Sequence, residues 1–319
     1  MKTLFVTGAE GFTGKHLVTF LRRRGYDVVG GVRNRARKLG FEKHYGKALV
    51  CDVTDPIDVA RAVAAVKPDG IVHLAGTSLP TVASDEPLTA YQTIVSAWAH
   101  LLDAVRRIVP RARVVLVSAC DVYGNAGADG KPIAESVSPQ PVSTFGSLKA
   151  TAESIAQTFF LNYRLNISIA RPFHYVGEGQ SDQFFFAAIA KRLATADAAI
   201  DGAAIELPDL SARRDLLHIM DAVQGYTDVL EEGRPSEVYN IASGECHTVR
   251  EIVEEIARCA GRNVTFTEQP ADNGGQIACL CGNSARIREE FGWRPDQTWK
   301  QAVGDLVASF QKHEAAATA

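Results

Sequence analysis

The segment Ser143–Lys149 reads STFGSLK, with an aromatic ring at Phe145 and an ammonium at Lys149 four positions on. Residues four apart share one face of a helix. A phenol in the first place would be a general acid, its pKa lowered by the charge one turn away. Phe145 has the ring without the hydroxyl. A core aromatic is the plain alternative, because Ala152, Ile155, Ala156, Phe159, Phe160 and Tyr163 continue an apolar stripe at helical spacing. A second stretch with chemistry is VSACDVYG, which carries Cys120, Asp121 and Tyr123. Its carboxylate suits a turn residue bonded to local backbone.

The third stretch is Gly8-Ala9-Glu10-Gly11-Phe12-Thr13-Gly14. Glycines here allow a tight turn and a close approach of backbone to a pyrophosphate at a helix N-terminus. The spacing is G-x-x-G-x-x-G, so its weight comes from position, between a first strand (KTLFVTG) and a first helix (GKHLVTFLRRRG) closed by Gly25.

These stretches need a scaffold, and the sequence predicts one. YDVVGGV, ALVCDV, GIVHLAG, RVVLVSA and NISIAR read as further strands, separated by helices such as DPIDVARAVAAV and TAYQTIVSAWAHLLDAVRRIV. Strand–helix alternation implies an α/β protein with a doubly wound, Rossmann-type parallel sheet covered on both faces. After Arg171 elements shorten, and SEVYNIAS reads as a strand returning to the sheet. The expected division is a dinucleotide domain over 1–171 with 215–243, interleaved with a smaller substrate-binding portion over 172–214 and 244–319. The closing EAAATA is expected to fray.

Composition narrows the class. Hydrophobic content of 46%, charged content of 22% and a net charge of −3 over 319 residues describe an ordinary globular protein with no basic face for nucleic acid. No secretory leader or membrane span is apparent, so a cytoplasmic location is expected. Six cysteines show no metal-ligand spacing (Cys279 and Cys281 are one residue apart) and read as structural or incidental thiols, with no metal site.

The end of the second strand bears on cofactor choice. An Asp or Glu there holds the ribose 2′-hydroxyl of NAD. Gly30-Gly31-Val32-Arg33-Asn34-Arg35 has two guanidiniums and no carboxylate, which favours NADP(H) over NAD(H).

VTGAEGFTGKHL, CDVTD, HLAG and VSACDVYG, followed by ARPFHYVGEGQ, SARRDLLHIMDAV, EVYNIASGE and FGWRP, resemble the extended short-chain dehydrogenase/reductases that act on nucleotide sugars. The likeness runs from about Lys2 to Leu306 and looks most like GDP-4-keto-6-deoxy-D-mannose reductases. It implies that Gly8, Gly11, Phe12, Thr13 and Gly14 line the pyrophosphate, with Arg33 by the 2′-phosphate. Asp52 and Val53 would flank the adenine. Leu74, Ala75 and Gly76 would line phosphates and ribose, and Lys149 would hold the nicotinamide ribose. His174 would sit between cofactor and substrate. Thr77, Ser78, Tyr123, Gln180, Arg213 and Arg214 would contact the substrate, the arginines its diphosphate. Bland alternatives stand beside these: Asp52 as a cap, Leu74 as core, and one arginine as a surface residue.

By the same resemblance Phe145 occupies the place of a catalytic tyrosine, and Ala119 that of a Ser or Thr bonded to the reacting oxygen. Both oxygens are missing together. Three origins fit: deliberate replacements that each delete one oxygen, natural divergence moving proton transfer to Asp121, Cys120, Tyr123, Thr144 or His174, or a binding protein. The activity expected is NADP(H)-dependent reduction of a 4-keto-6-deoxy-hexose on a nucleoside diphosphate, in an impaired chain. Nucleotide-sugar 4,6-dehydratase, 4-epimerase and non-catalytic binding of NADP or nucleotide sugar are the alternatives. A homodimer pairing helices 88–109 and 146–164 is also expected.

Overall fold

The computed structural model describes residues 2–269 and 277–318. Short apolar, β-branched runs form β1 (Thr3–Thr7), β2 (Asp27–Val32), β3 (Ala48–Val50), β4 (Gly70–His73), β5 (Arg113–Val117) and β6 (Asn166–Pro172). Later come β7 (His174–Val176), β8 (Ala204–Leu207), β9 (Arg213–His218) and β10 (Val238–Ile241), then β11 (Cys246–Thr248), β12 (Thr265–Glu268) and β13 (Cys279–Leu280). Seven of them make one sheet in the order β10-β6-β5-β4-β1-β2-β3, parallel at every pairing. SEVYNIAS returns to this sheet as its edge strand β10, beside β6.

One face buries Leu17, Leu21, Val223 and Tyr226 from helices Phe12–Arg23 and Ile219–Glu232. The other buries Val59, Trp98, Leu101, Phe145 and Ala152 from helices Pro56–Val66, Ala97–Ile108 and Thr144–Tyr163. This is the doubly wound Rossmann-type α/β fold. Local chemistry sets the helix starts: Asp55 caps Pro56–Val66, and the Ser143 hydroxyl accepts Gly146 N–H at 3.1 Å to begin the helix carrying Phe145 and Lys149.

The continuous helix expected over 88–109 is instead Pro87–Tyr91, a π turn at Gln92–Ser96, and Ala97–Ile108. The Thr93 hydroxyl bonds back to Thr89 O (3.0 Å) and Ala90 O (3.3 Å) and meets Thr77 Oγ1 at 2.9 Å. The turn therefore sits where the loop after β4 packs.

A smaller sheet sets β11 and β13 beside β9, which also pairs β7, and β12 pairs β8. It corrects the cysteine expectation: Cys246 and Cys281 are disulfide-bonded, with Cα atoms 5.6 Å apart. Cys51, Cys120, Cys259 and Cys279 are free. Spacing gave no sign of the pair, because the meeting of β11 and β13 around β9 brings it together from 35 residues apart. The EAAATA tail is helical to Thr318, and residue 319 lies outside the described residues. Among the described residues no helix is long and apolar enough to cross a membrane.

Candidate active site

From the middle of the sheet, β1, β2 and β3 are laid down in order toward one edge and β4, β5 and β6 toward the other, all parallel, so the winding reverses between β1 and β4. In open α/β sheets the loops leaving two such neighbours border a ligand crevice beyond the strands' carboxyl ends. Gly8 and Leu74–Gly76 are the two lips of it. Gly8 has φ +68°, and a Cβ there would lie 2.8 Å from Ala75 N. Gly14 packs as closely: its Cβ would lie 2.6 Å from Ala9 Cα. Gly11 differs, being exposed at the N-cap of helix Phe12–Arg23, with only Gly8 O, at 3.2 Å, near the place of a Cβ. A side chain there would fill the cradle above the helix N-terminus, which is the geometric fit for a pyrophosphate. Thr7 binds the lips together: its hydroxyl accepts Ala75 N–H (3.3 Å) and bonds His73 Nδ1 (2.7 Å). Gly76 (φ +145°) lies against Thr93 O, and Thr77 is tied to Thr93 while Ser78 is exposed.

At the end of β2, Arg33 and Arg35 are exposed. The sequence reading missed that a carboxylate reaches this place from another strand's loop: Glu10 Oε1 accepts the Arg33 N–H at 3.0 Å, and its Oε2 is buried without a partner. Asp52 accepts from Thr54 N (3.0 Å) and Thr54 Oγ1 (2.7 Å), the capping arrangement weighed against an adenine contact. Those bonds, with the Arg33 charge, hold its carboxyl below the usual range. The carbonyl of neighbouring Val53 contacts His100 Nδ1 at 3.1 Å.

Lys149 is the centre of the other half. It is buried, donates to Val117 O at 2.8 Å, and lies 5.7 Å from the Trp98 ring centroid and 5.8 Å from that of Phe145. Burial lowers the ammonium to about 8, against the opposing pull of Glu153 and Asp121. Phe145 and Ala119 are buried in the same apolar cluster, so no hydroxyl stands at either position. Burial raises the Asp121 carboxyl, opposed by the Arg214 and Lys149 charges. Ser118, beside Ala119, has a buried hydroxyl with no partner. Tyr123 is fully buried: its hydroxyl donates to Asn240 Oδ1 (2.7 Å) and accepts from Arg171 Nη1 (2.9 Å). Arg171 is itself paired with Glu153 at 2.5 Å. The Tyr123 hydroxyl, expected beside the substrate, is thus bonded on both sides within the protein.

Strand β7 and the loop that follows it lie against the glycine turn. Tyr175 OH meets Thr13 Oγ1 at 3.0 Å, and its ring stacks on Phe12 with centroids 6.2 Å apart. Gln180 is buried, donating to Tyr175 O at 3.1 Å, with Oε1 unpartnered. His174 Nδ1 is also buried and unpartnered, and burial plus the Arg214 charge push that imidazole down to about 3. Arg214 is half-buried and feels Cys120, Asp121 and Asp209, whereas Arg213 is exposed and donates to Cys246 O at 3.3 Å. Asp121, Lys149, His174 and Arg214 thus form one electrostatic group, with Arg33 and Asp52 on the far side of the switch point. Sequence reasoning passed over Glu10, Trp98 and Tyr175. Only Glu10 had a local signal, as a carboxylate inside the glycine turn.

Comparisons with known proteins agree with this fold. A family model described as GDP-mannose 4,6 dehydratase matches residues 5–306. The GDP-6-deoxy-D-mannose reductase of Pseudomonas aeruginosa is 28% identical over 309 residues, covering 97% of each chain. The solved RMD structure from Pseudomonas aeruginosa complexed with NADPH superposes with a TM-score of 0.83 at 25% identity, covering 98% of each chain. UDP-glucose 4-epimerase from Thermus thermophilus, complexed with NAD, gives a TM-score of 0.84 at 23% identity over 97% of this chain and 99% of that one, a likeness of fold alone. Enzymes that modify nucleotide sugars and use nicotinamide cofactors thus surround this sequence. With the family match running from β1 to the last long helix, over a sheet wound as its members' are, the chain belongs to the GDP-mannose 4,6 dehydratase family of extended short-chain dehydrogenase/reductases.

Proposed function

We propose that the protein binds NADP(H) and a nucleoside-diphosphate sugar, and that its chemistry is reduction at C4 of a 4-keto-6-deoxy-hexose, impaired in this chain. The observation that carries this reading is the buried Lys149 beside Phe145, with Ala119 in the same cluster and no hydroxyl at either place. A bound dinucleotide supplies the hydride. The glycine turn receives its pyrophosphate, Arg33 its 2′-phosphate, and Lys149 its nicotinamide ribose through the donors left by Val117. Glu10 is the group that opposes NADP, since its carboxylate stands by the Arg33 backbone.

The substrate lies under residues 172–214 and 244–319, with 1–171 and 215–243 beneath the cofactor. Arg213 and Arg214 hold its diphosphate, and Thr77, Ser78, Gln180 and His174 its hydroxyls. A homodimer through helices Ala97–Ile108 and Thr144–Tyr163 completes the proposal.

Removing a general acid costs roughly 10²–10⁴-fold, and losing a donor to a developing oxyanion roughly 10²–10³-fold. The two losses need not add. The test is the double variant Phe145→Tyr, Ala119→Ser, assayed with NADPH and NADH against GDP-, UDP-, dTDP- and CDP-linked 4-keto-6-deoxy sugars. We expect turnover to rise by at least about 10²-fold. Unchanged turnover with substrate binding intact overturns the impaired-reductase reading and leaves a binding protein, which the same missing hydroxyls favour. Asp121, a carboxyl raised by burial beside Lys149, supports dehydration as the alternative reaction, reported by loss of water from an unmodified nucleotide sugar.

A further inference from the structure

Next in sequence to Arg214, the turn after β10 and the chain leaving β13 meet over the carboxylate of Asp215. That carboxylate is fully buried and accepts from Ser243 N (2.8 Å), Ser243 Oγ (2.7 Å), Gly244 N (2.9 Å) and Gly282 N (3.3 Å). Cys246 and Cys281 lie on the same two segments, and Cys246 stands opposite Asp215 in the β11–β9 register. Their Cα separation of 5.6 Å is within the span of a disulfide. Four hydrogen bonds thus hold the segments together whether or not the sulfurs are joined, so two thiols would remain neighbours after reduction. Exposure differs between the two. Cys246 is half-buried and Cys281 is 5% exposed. Cys51, Cys120 and Cys279 are buried, and Cys259 is half-buried without a disulfide partner.

We propose that Cys246 and Cys281 are a reversible dithiol–disulfide site whose oxidant is a small-molecule disulfide of the glutathione class, with Cys246 the sulfur that reacts first. The Cys246 thiolate attacks one sulfur of glutathione disulfide, forming a mixed disulfide and releasing one glutathione thiolate. The Cys281 thiolate then attacks the Cys246 sulfur, forming the internal bridge and releasing the second glutathione. Each thiolate released takes up one of the two protons given up by the cysteines, so two protein thiols are oxidised and one glutathione disulfide is reduced.

The native chain, equilibrated in mixtures of reduced and oxidised glutathione, acid-quenched, alkylated and mapped by peptide mass, decides the matter. The expected result is a joint loss of alkylation at Cys246 and Cys281, restored by excess reduced glutathione. The oxidised form should melt about 5 °C above the reduced one, from closure of the intervening loop. In the Cys281→Ser chain the second step is blocked, and glutathione should accumulate on Cys246. Cys246 and Cys281 both remaining alkylated across the oxidising mixtures overturns the proposal. So does glutathione in Cys281→Ser appearing on Cys259 alone.

Discussion

Lys149 sits in a low-dielectric position where burial disfavours its charge more than Glu153 and Asp121 favour it, leaving it at about 8. The sign has two consequences. Below about pH 8 the ammonium is present and can hold ribose hydroxyls, at a cost to stability that fades as the pH rises toward the ordinary lysine value of about 10.4. Above about pH 8 the charge is lost, and the proposed grip on the ribose should weaken with it. Calorimetric titration with NADPH should therefore show affinity falling between about pH 7 and 9, by up to about tenfold. Lys149→Met should bind weakly with a flat profile. A wild-type profile equally flat would remove Lys149 from the cofactor site. Phe145 bears on the same residue, because a tyrosinate there would favour the ammonium, whereas a benzene ring gives only a cation–π contact at 5.8 Å.

At the level of the turn and helix, Gly11 and Gly14 look alike in sequence and are opposite in space. A methyl at Gly14 meets backbone that cannot move aside, so Gly14→Ala should lose about 1–3 kcal/mol and melt early. Gly11→Ala has an ordinary φ of −71° and an open position, so it should melt normally yet bind the dinucleotide at least about tenfold more weakly. Melting curves and titrations of the pair separate scaffold from cradle, and full-strength binding by Gly11→Ala contradicts the cradle. The glycine turn, the sheet-forming runs and the Ser143-capped helix were legible because each is set by residues close in sequence. Glu10 at the end of β2, the π turn under Thr77, Tyr175 over Thr13 and the Cys246–Cys281 bridge were not. Each depends on which distant strand lies alongside, and a single sequence does not encode that in local periodicity. The partners of Tyr123 were hidden for the same reason: Arg171 and Asn240 arrive on two other strands.

For the whole molecule, the expected dimer face is the outer surface of helices Ala97–Ile108 and Thr144–Tyr163. Leu161 and Tyr163 are 56% and 48% exposed, and Arg106 stacks on the Tyr163 ring at 4.9 Å. A cavity of about 310 Å³ beside them is lined by Pro56, Ala60, Arg107, Ile108 and Phe159. Sedimentation velocity should give twice the chain mass, and Leu161→Glu should return it to the single-chain value. Wild-type protein sedimenting as a single chain rules the dimer out. The seven-stranded sheet has a further consequence for synthesis. Its last strand to be made, β10, supplies the Asn240 side-chain oxygen Oδ1 that receives the Tyr123 hydroxyl. Until about residue 241 has left the ribosome, β6 is a bare edge and the Arg171–Glu153–Tyr123 cluster lacks its last acceptor. Every residue of the glycine turn and the Lys149 helix is already translated by then, so a nascent chain waits on an outermost strand before the floor of its own crevice can close.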